Sequence, residues 1–277
     1  MLRPGRMVIR HRRIGDAYAH FGGQVHPDLV FRDLDIEACI ASVEWAREVI
    51  VVENDSSDDT IERARAAGAT VISPKFTTIG AARNNGIERA RSPWIFVLDA
   101  DERCTPELAA EIGGIVRDAR SHSAFRVPRR SFFLGKEIRH GGWGSGNDKP
   151  VRLFRKELRY NANLVHEHVD VTKGTIGEVK SALLHYTYTS LDQYFEKFNR
   201  YSRSWADQNF ARGRRTSVAA VLLKPPARFA GMYFLKGGFL DGGRGLVLAC
   251  LAAASVMAKY ARLWERTIRE RTVRNER

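Results

Sequence analysis

Through its first half the chain alternates short apolar runs with segments of helical period. Glu48 to Glu53, Ala69 to Ser73 and Trp94 to Leu98 are short, mainly apolar runs, and they predict buried strands. Ile36, Ile40 and Val43 fit a short helix ahead of the first run. Ile61 to Ala67, closed by Gly68, fits a second helix, and Gly80 to Ala90 a third. Thr105-Pro106 opens a fourth, with proline at the first helical position. Strands alternating with helices at this spacing predict an α/β fold with a mostly parallel sheet flanked by helices.

Beyond residue 120 the pattern is mixed. Ala124 to Val127, Val151 to Arg155 and Val179 to Tyr188 read as strands, and the Gly-rich Gly141 to Gly146 as a mobile loop. Ser190-Leu-Asp-Gln193 fits a capping box. The helix it opens carries Leu191, Tyr194, Phe195, Phe198, Tyr201 and Trp205 on one face, a stripe expected to be core. Pro225-Pro226 predicts a break, and the pairs Gly237-Gly238 and Gly242-Gly243 predict another. An apolar helix follows Gly245 and ends in a basic tail. Before residue 34 there is no periodicity, and Val8-Ile9 is the only hint of a strand. Three regions result: an atypical segment over 1–33, a catalytic-type α/β domain over 34–188, and a basic, amphipathic helical extension over 189–277.

Composition narrows the classes. In 277 residues, 44% hydrophobic and 28% charged is globular and excludes wholesale disorder. Cys39, Cys104 and Cys250 are too far apart to read as a metal pair or a disulfide framework, which points to a reducing compartment. The uncharged run Gly245 to Ala258 has 14 residues, short of the roughly 20 a spanning helix needs. The N-terminus lacks the apolar core of a secretory signal. The net charge of +13 is uneven: from Lys197 onward there are 17 Lys and Arg against 5 Asp and Glu. Such a block predicts an anionic partner. No zinc-finger spacing, RNP-like motif or helix-turn-helix accompanies it, so no nucleic acid is expected and an anionic membrane surface is.

The chemistry is expected beyond the carboxyl ends of the strands, where open α/β sheets bind ligands. Glu53 to Asp58 and Asp99 to Glu102 fall there. Asp99-Ala-Asp101 offers paired carboxylates that suit Mg²⁺ or Mn²⁺ and, through the ion, a diphosphate. Arg83, on the helix before that strand, is a cation within reach of a phosphate.

Three segments carry a resemblance: Val51-Val-Glu-Asn-Asp-Ser-Ser-Asp-Asp-Thr60, Gly80-Ala-Ala-Arg-Asn-Asn-Gly86 and Trp94-Ile-Phe-Val-Leu-Asp-Ala-Asp-Glu102. They resemble the donor half of family 2 glycosyltransferases. Gly142-Trp143, Asp148-Lys-Pro-Val-Arg-Leu-Phe-Arg155, Val165-His-Glu167, Leu184-His-Tyr186 and Gly238-Phe-Leu-Asp-Gly242 are similar to the lipopolysaccharide-core β-1,4-glucosyltransferase-like subgroup.

The resemblance implies a GT-A-like fold and an inverting transfer from a nucleotide-sugar to a glycan or lipid-linked acceptor; the basic C-terminal region and the cysteine usage add the expectation of a cytoplasmic protein peripheral on the inner face of the membrane. It implies donor binding by Glu53, Asp55, Arg83, Asp99 and His185, a metal at Asp101 and Asp99, and a general base in Glu167 or Asp148. Glu167 is favoured as base, with His166 and His168 as neighbours that tune or hold it. The family opens with a buried strand and a nucleotide-contacting loop, a place filled here by the Arg- and His-rich Arg10 to Asp33. A shifted reading frame or misplaced start would produce such a junction. It implies a missing first strand, weak donor binding and, as the alternative to an enzyme, a degenerate non-catalytic protein on the membrane.

Overall fold

The computed structural model describes residues 6–10, 36–53, 58–75, 78–118, 122–161 and 167–275. The chain divides into two compact units: Met1–Ser131 with Ser145–Thr187, and Phe132–Gly144 with Tyr188–Arg277.

In chain order the first unit holds strand β1 (Arg6–Arg10), helix α1 (Ile36–Ala41), β2 (Glu48–Val52), α2 (Thr60–Ala66), β3 (Thr70–Ile72), α3 (Ile79–Arg89), β4 (Trp94–Asp99), β5 (Glu102–Arg103) and α4 (Pro106–Asp118). Then come β6 (His122–Arg126), β7 (Arg129–Phe133), which runs into the second unit with β8 (Lys136–Glu137), and again in the first unit β9 (Val151–Arg155), β10 (Arg159–Tyr160), β11 (Val169–Asp170), β12 (Thr175–Glu178) and β13 (Leu183–Tyr188), whose last residue belongs to the second unit. Seven strands form one sheet in the order β12-β6-β9-β4-β1-β2-β3. Its pairings are parallel except where β9 meets β4 and β6, so the mostly parallel, helix-flanked sheet is present.

Alternation along β4 explains why the sheet is buried on both faces. Trp94, Phe96 and Leu98 join one core with Ile36, Cys39 and Ile40 of α1 and Leu108 and Ile112 of α4. Ile95 and Val97 join the other with Ala82 and Ile87 of α3. A run with no polar position is what a strand covered by helices on both sides requires.

The expectation of a missing first strand is corrected. Arg6–Arg10 lies between β2 and β4, parallel to both, with Arg10 level with Val52 and with Asp99. The strand was hard to read because arginines flank a core of only Met7-Val-Ile9. Its pairing is entirely non-local, which local pattern does not carry. The following segment, 11–35, lies outside the described residues, as does Asp55.

The second unit is mostly helical: α5 (Leu191–Ala211), α6 (Val218–Ala230), a π turn (Gly231–Leu235), a 3₁₀ turn (Gly238–Asp241) and α7 (Gly242–Asn275). The capping box is close to expectation: Ser190 accepts from the Gln193 amide, and the Gln193 side chain accepts from the Thr189 amide. In the Gly-rich loop the Gly141 N–H donates to the Lys236 carbonyl. Two readings are corrected. Helix α6 runs through Pro225 and Pro226. The aromatic stripe of α5 is split: Tyr194 is buried, but Leu191, Phe195 and Tyr201 are exposed, and the buried line runs through Tyr194, Ser202, Ala206 and Asn209. Small residues let α7 lie close, with Tyr194 Oη donating to the Leu251 carbonyl. Among the described residues one helical stretch, Gly238–Thr272, is long and apolar enough to cross a membrane by length and composition alone.

Candidate active site

The carboxyl ends of β1, β2 and β4 lie level. Buried Glu53 follows β2 directly, and its amide donates to the Ile72 carbonyl. Asp99 is the last residue of β4, and Asp101 lies in the turn leading to β5.

Around Asp99 runs a chain of alternating charges, all in the first unit. Arg83 of α3 donates to Glu167 at 3.1 Å and to Asp99 at 2.7 Å. Arg152 of β9 bridges the other Asp99 oxygen, at 2.7 Å, to Glu102. Arg129 of β7 continues from Glu102, at 3.1 Å, to Asp148, which it grips with two nitrogens at 2.8 and 2.7 Å. Glu102 is 0% exposed and also accepts from the Asp99 amide. Arg83 is buried beside the ring of Tyr160, 4.9 Å from its centroid. The Nε atoms of Arg83 and Arg152 are buried without a hydrogen-bond partner.

Burial by itself would lift the Asp99 carboxyl, but the Arg152 and Arg83 guanidinium groups outweigh it and hold the group well below the usual carboxylate range. Burial would likewise lower Arg152; Asp99 and Glu102 reverse that and raise it well above the ordinary value. Asp99 and Arg152 therefore hold one another in their charged forms.

A second feature flanks this network. Pairing of β5 with β13 sets His185 opposite Glu102, and the Tyr186 amide donates to the Asp101 carbonyl. His185 Nε2 consequently lies 3.7 Å from Asp101 Oδ2, with the two side chains 15% and 17% exposed. His185 Nδ1 faces the hydroxyls of Ser131 and Thr187.

Several residues singled out in the sequence are thus brought together: Arg83, Asp99 and Glu167 in one contact series, Asp101 with His185, and Asp148 at the far end of the network. Two expectations change. Arg83, read as a cation reaching for phosphate, has its terminal nitrogens on two carboxylates. Glu167 is paired with Arg83, while the ring of His168 reaches Asn161 and Asp170; His166 lies outside the described residues. Sequence reasoning missed Arg129, Arg152 and Tyr160 as members. Arg152 had a signal, a charged residue inside the apolar strand Val151 to Arg155; Arg129 had none.

Whether a divalent cation fits can be judged from charge and donor atoms. The network holds four carboxylates against three guanidinium groups, and Asp101 adds a further negative charge. The Asp101 carboxylate is the oxygen ligand that Mn²⁺ and Mg²⁺ prefer, and the His185 nitrogen stands 3.7 Å from it. Asp99 fits less well as a direct ligand, because both its oxygens are held by arginines. Among the described residues no group of three or more His, Cys, Asp or Glu is arranged as a closed metal site, so remaining positions would fall to substrate or water.

Residues 32–118 match the family description "Glycosyl transferase family 2". The lipopolysaccharide core biosynthesis glycosyltransferase LpsC of Rhizobium meliloti is 28% identical over 241 residues, covering 80% of this chain and 87% of that protein. An uncharacterized glycosyltransferase of Rickettsia typhi is 26% identical over 235 residues, covering 82% and 80%. Among solved structures, glucosyl-3-phosphoglycerate synthase of Mycobacterium tuberculosis with Mn²⁺, uridine diphosphate and phosphoglyceric acid overlaps at a TM-score of 0.43 and 16% identity, covering 78% of this chain and 80% of that one.

Proposed function

We propose that the chain is a family 2 glycosyltransferase that transfers a sugar, with inversion, from a nucleotide-sugar to a glycan or lipid-linked acceptor of the lipopolysaccharide core. The similarity to LpsC over most of both chains supports the acceptor class. The observation that carries the site is the meeting of Asp101 and His185 beside the Arg83–Asp99–Glu167 series.

In this reading Asp101, with His185 beside it, would hold Mg²⁺ or Mn²⁺, and the bound ion would supply charge neutralisation for a nucleoside diphosphate leaving group. Glu53, with Asp55, recognises the nucleotide, and Asp99 orients the donor ribose. Arg83 is a positioning residue that fixes the carboxylates of Asp99 and Glu167 relative to one another. Glu167 removes the proton from the acceptor hydroxyl as that oxygen attacks the anomeric carbon. Asp148 is less suited to this step, since both its oxygens are gripped by Arg129; it binds acceptor instead. The basic second unit keeps the protein on an anionic membrane surface, next to a lipid-linked acceptor.

A panel of nucleotide-sugars assayed with Mg²⁺ or Mn²⁺ tests the activity. Neither transfer nor donor hydrolysis with any donor would leave the non-catalytic reading. For the site, Asp101→Asn removes metal-dependent nucleoside-diphosphate binding in calorimetry with the unfolding midpoint preserved. Unchanged metal-dependent affinity would overturn the assignment.

A further inference from the structure

We propose that the turn Phe234–Leu240 is a lipid-inserting tip, entering a bilayer that carries anionic headgroups; the inference deepens the peripheral-membrane reading above and rests on it. Four large apolar side chains stand out within seven consecutive residues: Phe234 is 59% exposed, Leu235 87%, Phe239 50% and Leu240 60%. Folded chains seldom leave such residues together in water without a use for them. Between them lies exposed Lys236, whose stem passes over Gly142.

The tip is built rather than loose. Asp241, buried at its base, accepts from the amides of Arg139 and His140 at 3.1 and 2.9 Å. The Lys236 carbonyl accepts from Gly141. Beneath it Tyr233 stacks on Phe229 and meets Phe234 and Phe239 edge-on. Gly237 and Gly242 take positive φ at 67° and 63°, and Gly238 lies so close to α7 that a Cβ on Gly245 would fall 1.9 Å from its carbonyl oxygen. A turn fixed this way holds its apolar side chains outward instead of letting them fold back.

Two arguments select a lipid surface as the occupant. Four apolar side chains on one turn fall well short of the roughly 20–30 residues a stable protein interface employs on each side, yet suffice for shallow insertion. Charge agrees: 17 Lys and Arg against 5 Asp and Glu lie from Lys197 onward, complementary to anionic headgroups. Helix α7 itself is poorly placed to cross the membrane. Charge-rich α5 runs alongside it, from Tyr194 on Leu251 to Asp207 on Arg266. A spanning α7 would carry the charged residues of α5 into hydrocarbon.

The test uses the full chain and sedimentation with vesicles of equimolar phosphatidylethanolamine and phosphatidylglycerol. An environment-sensitive fluorophore is attached at Leu235→Cys in a Cys250→Ser background, and separately at native Cys250, the exposed thiol of α7. Expected is a blue shift, with quenching by lipid-borne quenchers, at position 235. The Leu235→Asp, Leu240→Asp double variant should lower vesicle partitioning about a hundredfold with an unchanged unfolding midpoint and donor affinity. Vesicle-bound protein with a water-like probe at 235 would overturn the tip while sparing the membrane reading. A wild-type chain that does not sediment would overturn both. Concentration-dependent self-association without lipid, abolished by the double variant, would make a second copy the occupant and overturn the proposal.

Discussion

Glu102 shows what a single side chain does here. It is fully buried, and its two oxygens meet Arg129, Arg152 and the Asp99 amide. Removing one charge from such a set strands the others, which costs far more than the network adds over an apolar replacement. Glu102→Gln keeps the shape and is expected to destabilise the protein by roughly 3–5 kcal/mol in denaturant titration. Because Glu102 touches no substrate in this reading, kcat should fall through misplacement of Asp99 and Asp148 while the pH profile of the base is retained. The base itself is tested by Glu167→Gln, expected to reduce turnover by roughly 10²–10⁴-fold with donor affinity unchanged. Should Asp148→Asn show that loss and Glu167→Gln not, the two roles exchange.

Cysteine chemistry is another property set residue by residue. Burial pushes the Cys39 thiol far up and Cys104 to about 12, so neither forms thiolate under ordinary conditions. Cys250 is exposed. A native-state thiol titration at mildly alkaline pH should therefore count one reactive group, and a denatured one three. Three fast thiols in the folded chain would mean that the Cys39 side of the sheet is open.

At the scale of elements, legibility tracked locality. Strand β4 was readable because burial of nearly every residue left an apolar run. Strand β1 was not, because its identity comes from two neighbours far along the chain. The Pro225-Pro226 pair misled for the opposite reason: local chemistry argued for a break, and packing carried α6 through it. Of the site, the residues at strand ends were legible and the arginines joining them were not. Their partners lie up to 84 residues apart, as in Arg83 with Glu167. Close packing of whole elements yields its own prediction. A Cβ on Gly80 would sit 2.4 Å from the Asn161 carbonyl oxygen, where helix α3 meets the chain after β10. Gly80→Ala should cost about 1–3 kcal/mol of stability and, by shifting α3, weaken activity through Arg83 one turn on. A variant as stable and active as wild type would show that α3 moves freely there.

The whole molecule responds to acid through its paired carboxylates. Asp99 has a folded-state pKa depressed below its unfolded value, so its contribution is present above the ordinary carboxylate range and is lost as pH falls through the folded value. Stability from this source should hold from neutral pH to about pH 4 and decline below it, read as a falling denaturant midpoint. Salt separates the two forces that would hold the second unit on lipid. Arg262, Arg266 and Arg269 engage Asn199, Asp207 and Glu265 within the unit, so the basic tail offers less to headgroups than its sequence implies. At about 1 M salt the Debye length contracts to roughly 3 Å, and headgroup attraction of about 1 kcal/mol per basic residue is screened. Insertion of Phe234, Leu235, Phe239 and Leu240 is not screened. Wild-type partitioning should then fall with salt to a plateau above zero, whereas Leu235→Asp, Leu240→Asp should fall to none. Equal salt curves for the two proteins would mean that charge alone holds the chain on lipid.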